Sequence, residues 1–203
     1  MARVFYLTHP QVEIEPEVPV PAWRLSALGR ERAERAAAAA WSAGVTAIFS
    51  SEERKAVETA QIVGAARGCE VRRVQAMHEN DRSATGYLPP GPFEAMADRF
   101  FFSPAVSVEG WEPAAAAQRR IVDATDAALA GDLPPGDVLF AGHGAVGTLL
   151  MTALLGLPIS RSLDQPKGGG NVFAFDAETR RVAHRWLALE DPRVGLAATA
   201  ALQ

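Results

Sequence analysis

The sequence predicts an α/β fold, a three-layer α/β/α sandwich with a mainly parallel sheet and a small lid-like insertion. Three observations carry this. Short apolar runs ("VFYL", "VTAIF", "DVLFAG") alternate with stretches of helical composition rich in Ala, Glu and Arg, the pattern of a sheet covered by helices. The chain has 203 residues, 48% hydrophobic and 22% charged, enough for one domain with a full core. Two of the apolar runs end at histidines, His9 and His143, and ligands in open α/β sheets collect outside the carboxyl ends of the strands.

Taken in order, residues 4–7 form a short buried strand that stops at Thr8-His9-Pro10. Residues 11–22 carry Pro16, Pro19 and Pro21, a density that forbids a helix and leaves an extended loop. Ser26 is the N-cap of a helix running toward Gly44. A second strand at 45–49 enters Ser50-Ser51-Glu52-Glu53. Ser51 caps the next helix there, and the two carboxylates suit its positive end; that helix lasts to about Gly68.

"EVRRV" at 70–74 is an edge strand. Residues 76–112 are rich in Pro, Gly and aromatics and form an excursion holding one short helix, "FEAMADRFF". A helix with Pro113 in its first turn follows over 113–131. Residues 137–142 are a strand, His143-Gly144 a turn, and "AVGTLLMTALLG" an apolar helix. "NVFAFD" and "RVAHRWLAL" form an antiparallel hairpin around "AETR". The tail from Asp191 is loose or a short helix. The organisation is one domain over 1–203, with 76–112 inserted as a lid.

The totals exclude several function classes. A formal charge of −4 argues against nucleic acid or an anionic membrane as partner. Cys69 is the only cysteine, so there is no intrachain disulfide and no Cys-based zinc site. The first residues lack the apolar stretch of a secretory signal, and no run approaches the ~20 apolar residues of a membrane span. The expectation is a cytoplasmic protein. "PKGGGN" at 166–171 precedes a strand, so it lacks the strand-then-helix context of a nucleotide loop and reads as a flexible loop at the rim of the site. His78 and His184 are assigned no chemistry.

The segments "YLTHP", "SSEERKAVETA" and "LFAGHGAVGTLL", in that order and spacing, resemble the landmarks of the histidine phosphatase superfamily, also called phosphoglycerate mutase-like. "LSALGRERA" resembles a fourth. The resemblance spans residues 3–176. It implies a phosphatase needing no metal or cofactor, acting on a small phosphomonoester through a phosphohistidine. By resemblance His9 is the nucleophile, His143 its partner and Glu79, in "MHEN", the proton donor. Thr8, Lys55, Arg82 and Gly144 are the phosphate-binding candidates.

The departures bear on this assignment. The family has Arg where this chain has Thr8, Gly where it has Pro10, and Arg where it has Lys55. Arginine grips phosphate with a planar two-pronged contact that lysine cannot reproduce, and Thr8 offers one hydroxyl and no charge. Lys55 with Arg82 is the expected replacement cation pair. Arg54 projects about 100° around the helix from Lys55 and does not join it. The variant site leaves open a non-catalytic relative that binds a phosphorylated ligand or a protein, and ranks a phosphomutase last. Oligomeric state is not legible.

Overall fold

A computed structural model describes residues 2–196 of the chain. The strands are β1 (Arg3–Thr8), β2 (Val45–Ser50), β3 (Val71–Arg73), β4 (Asp137–Gly142), β5 (Asn171–Asp176) and β6 (Val182–Ala188). The helices are α1 (Ala27–Ala38), α2 (Arg54–Arg67), α3 (Pro90–Phe102), α4 (Ala114–Leu129) and α5 (Gly144–Leu154). The six strands form one sheet in the order β3-β2-β4-β1-β5-β6. β3, β2, β4 and β1 run parallel; β5 is antiparallel to both β1 and β6. This is the predicted α/β fold.

Strand alternation divides the core into two layers. Val4, Tyr6, Phe49, Phe140, Phe173 and Phe175 pack with residues of α3, α4 and α5 on one face. Phe5, Leu7, Ile48 and Leu139 pack with α1 and α2 on the other. Successive side chains of a strand point to opposite faces, so one run such as "VFYL" serves both layers.

Register positions the site. Thr8 lies opposite Gly142 in the β1–β4 ladder, so the two strands end level and His9 and His143 emerge side by side. Ser50 lies opposite Ala141 in the β2–β4 ladder, which brings Ser51 beside the same edge. Pro10 fixes the end of β1. The ladder makes its last bond from His9 N to the Gly142 carbonyl, 2.9 Å, and Pro10 has no N–H to continue it.

Two details differ from the sequence reading. α1 ends at Ala38, not near Gly44, because the Ser42 hydroxyl donates to the Ala36 and Ala39 carbonyls at 2.7 and 2.9 Å. Trp41 then turns into the core and donates to the Leu189 carbonyl. Ser51 is not the N-cap of α2; that place is Glu53's. His184, assigned to no chemistry, accepts from Gly195 N at 3.1 Å. Residues 191–196 form turns, and the rest of the tail lies outside the described residues.

Candidate active site

The two histidines at the sheet edge meet, with ring centroids 5.4 Å apart and planes at 67°. His9 Nδ1 lies 2.8 Å from the Pro10 carbonyl oxygen. A carbonyl only accepts, so Nδ1 carries the proton and the lone pair sits on Nε2. Burial, helped by the Lys55 charge, pushes the His9 imidazole down to about 4. The ring is therefore neutral over the ordinary pH range.

Beneath His9 runs the glycine-rich segment. Gly170 N donates to the His9 carbonyl at 3.1 Å. Gly169 passes at φ 65°, where a Cβ would lie 2.4 Å from the same carbonyl oxygen. The segment is therefore the support of His9, closer in than the rim.

His143 is fully buried. Its backbone is clamped by the Tyr6 hydroxyl, which accepts from His143 N at 3.2 Å and donates to its carbonyl at 3.3 Å. Gly142 makes room for that hydroxyl, since a Cβ there would stand 2.3 Å from it. His143 Nε2 faces Ser51 Oγ at 2.7 Å and Glu53 Oε1 at 3.5 Å. Its Nδ1 is buried with no partner among the described residues, which is rare for a buried polar atom.

Glu79 reaches the start of α5. Its Oε1 accepts from Val146 N and Asn80 N, both at 3.1 Å, and its Oε2 from Ala145 N at 3.2 Å. The helix terminus supplies amides and a positive potential, yet burial outweighs them and raises the Glu79 carboxyl above its usual range. Oε2, with a single amide on it, has room for a proton. Arg120 of α4 holds this segment by donating to the Ala76 and His78 carbonyls at 2.8 and 2.9 Å, braced by Glu112.

The candidate cations differ in their freedom. The Lys55 ammonium, almost wholly buried, is bonded to the Glu53 carboxylate and donates to the Val20 carbonyl at 3.0 Å. It is thus paired internally as the counter-ion of Glu53, and these two bonds use two of its three N–H donors. Arg54 points outward to Glu58. Arg82 lies with its Cζ 5.0 Å from the Phe93 ring centroid, and its guanidinium makes no hydrogen bond or ion pair among the described residues. It lines, with His9, Glu79, Phe93, Gly144 and Gln165, a cleft of ≈ 570 Å³.

Thr8 is turned into the protein. It is 0% exposed. Its hydroxyl donates to Gln165 Oε1 at 2.7 Å and accepts from Asn171 N at 2.9 Å, tying β1 to the start of β5. Arginine at this position would have no room and would strand Asn171 N. Thr8→Arg is therefore expected to lower stability by about 2–4 kcal/mol without raising turnover, checked by urea denaturation beside steady-state kinetics on an aryl phosphate.

Some of these partners escaped the sequence reading. Glu53 reads there only as a helix-start charge, and nothing marks Tyr6, Gln165 or Arg120. The Glu53-x-Lys55 spacing was the one available signal, because side chains two apart across a helix start can converge.

Comparison with known proteins follows the geometry. The family model for the histidine phosphatase superfamily (branch 1) matches residues 19–186, which leaves Thr8-His9-Pro10 outside the matched segment. No curated protein matches the chain in sequence. Among solved structures, it is similar to mycobacterial glucosyl-3-phosphoglycerate phosphatase in complex with inorganic phosphate. The TM-score is 0.77 and the identity 22%, covering 94% of this chain and 100% of that one. It is also similar to YhfR of Bacillus stearothermophilus, with TM-score 0.73 and 21% identity, covering 91% and 95%.

Proposed function

We propose that this chain, which belongs to the histidine phosphatase superfamily, is a metal-independent phosphatase that hydrolyses a small phosphomonoester through a phosphorylated His9. One observation carries the reading: a histidine with Nδ1 pinned and Nε2 free, facing a second buried imidazole, with an unpaired arginine in the same cleft. The phosphatase named in one fold neighbour, solved with inorganic phosphate, supports a phosphate ester as substrate class.

In this mechanism the His9 Nε2 lone pair attacks phosphorus while the bond to the leaving oxygen breaks. Glu79 gives its Oε2 proton to that oxygen. His143 and Arg82 stabilise the charge on the phosphoryl oxygens. Water then attacks the phosphohistidine, passes a proton to Glu79, and inorganic phosphate leaves with His9 restored. Residues 76–112, which bring Glu79, Arg82 and Phe93 to the cleft, shape the choice of leaving group. The test is chemical trapping: label from a phosphoryl donor should appear on the wild-type protein in an alkali-stable, acid-labile form. Neither label nor turnover with any aryl phosphate would sink the reading.

A second reading has one observation behind it. Thr8 and Lys55 are both committed to internal partners, leaving fewer free cations than the family pattern, which suits binding a phosphorylated ligand without turnover. Saturable vanadate binding with no hydrolysis would select it.

The pH profile follows from His9. A nucleophile must be deprotonated, and burial has lowered this one to about 4. The acid limb of kcat/KM, corrected for the substrate's own ionisation, is expected near pH 4, with activity lost as pH falls through it. A limb near 6.5, the ordinary histidine value, would assign the nucleophile to a solvated imidazole instead.

A further inference from the structure

We propose that Glu53 is a positioning residue for the phosphoryl transfer proposed above, the counter-ion that lets His143 take a second proton and offer Nδ1–H to the bound anion. The inference rests on that reading of the site. Neither the family resemblance nor the site residues expected from it include Glu53.

The geometry is specific. Glu53 stands at the head of α2 with its side chain 10% exposed. Oε1 accepts from Glu79 N at 2.8 Å and lies 3.5 Å from His143 Nε2; Oε2 is bonded to Lys55. Ser51 Oγ stands between backbone and imidazole, accepting from Glu53 N at 3.2 Å while facing His143 Nε2 at 2.7 Å. One carboxylate therefore touches the second imidazole, the buried lysine and the segment that carries the proton donor.

The chemistry follows from the proton count on His143. A carboxylate beside Nε2 favours a proton on Nε2. In the neutral ring Nδ1 would then present a lone pair toward the anion, which repels it. Only the imidazolium donates from both nitrogens. Burial, with Lys55, His9 and Arg82 behind it, holds the ring well below the ordinary histidine value, so it is neutral before an anion binds; Glu53 is the nearest group opposing burial. Of the other charged groups acting on the ring, Lys55, His9 and Arg82 all disfavour the cation, while the Glu79 carboxylate is engaged by the amides of Ala145 and Val146. Despite its own burial, Glu53 is held ionised by the Lys55 ammonium and the Glu79 amide, so its charge is in place before the anion arrives. An arriving phosphate adds a second negative charge at Nδ1, and the ring takes its extra proton from solvent.

The experiment compares wild type, Glu53→Gln and Glu53→Gln/Lys55→Met on an aryl phosphate. Glu53→Gln keeps an acceptor for Glu79 N but removes the charge. It is expected to lower kcat/KM about 10–100-fold and to move the basic limb of the kcat profile, where the imidazolium is lost, to lower pH by about one unit or more. If the stranded Lys55 unfolds that variant, the double variant carries the test with both charges gone. A limb still shifted in the double variant supports the proposal; a limb and a kcat/KM both back at wild-type values mean that Glu53 serves only Lys55, which overturns it. In wild-type protein with ¹⁵N-labelled histidine and saturating vanadate, His143 should show the doubly protonated signature at neutral pH, and a neutral ring there overturns the proposal as well. An active wild type with an unmoved profile in the variants defeats this inference alone. A wild type that neither hydrolyses nor binds vanadate defeats the underlying phosphatase reading.

Discussion

Replacing His9 with alanine is expected to lower turnover of an aryl phosphate by about 10⁴-fold or more while leaving the fold intact. The side chain makes one hydrogen bond, to the neighbouring Pro10 carbonyl, and the strand ladder uses only backbone atoms at this residue. The lost interaction is therefore chemical, not structural. Covalent label on the protein should vanish with activity, because the neighbouring imidazole, His143, has its Nε2 turned to Ser51. Steady-state kinetics, a phosphoryl-trapping gel and a thermal melt together decide it. A variant that loses activity and melting temperature in parallel, or keeps its label, would show that His9 is part of the scaffold.

Arg82→Ala is expected to cost about 10²–10³-fold in kcat/KM and to weaken inhibition by vanadate. The argument is one of competing partners. Above the Phe93 ring the guanidinium gains about 0.5–1 kcal/mol from the aromatic face. A charge-assisted bond to a phosphoryl oxygen is worth about 1.5–3 kcal/mol, so an anion at His9 should draw the side chain off the ring. Lys55 is held by Glu53 and the Val20 carbonyl and should not make good the loss. Arg54→Ala is the control, since Arg54 pairs with Glu58 on the surface, and it should leave kcat/KM within about twofold. If Arg82→Ala behaves like Arg54→Ala, the phosphate is gripped by other groups.

The two site histidines were legible because their signals are local. A short apolar run that stops at a breaker gives a strand end, and β1 and β4 each place a histidine directly after one. The Ser26 cap of α1 and the β5–β6 hairpin were legible for the same reason, whereas the head of α2 was not, its cap being Glu53 and not Ser51. What was not legible is pairing across the fold. Lys55 has the same composition-level meaning whether it faces solvent or Glu53, and only the convergence of the α2 head with the Val20 loop decides between them. Thr8 carries no mark of its bond to Gln165, which stands far along the chain and comes near only because β5 joins β1. The end of α1 was misplaced because one hydroxyl, Ser42, captures carbonyls that composition alone would have left in the helix.

The glycines below His9 have a consequence for how this protein drifts over generations. Gly169 makes no contact with any reacting atom in the proposed mechanism, yet a methyl group there would collide with the very carbonyl that anchors the nucleophile's residue. Its neighbour Gly170 holds the same carbonyl by its amide. A chemically silent stretch of loop is thereby placed under the same purifying pressure as the imidazole above it, and substitutions there should be as scarce among descendants as at His9.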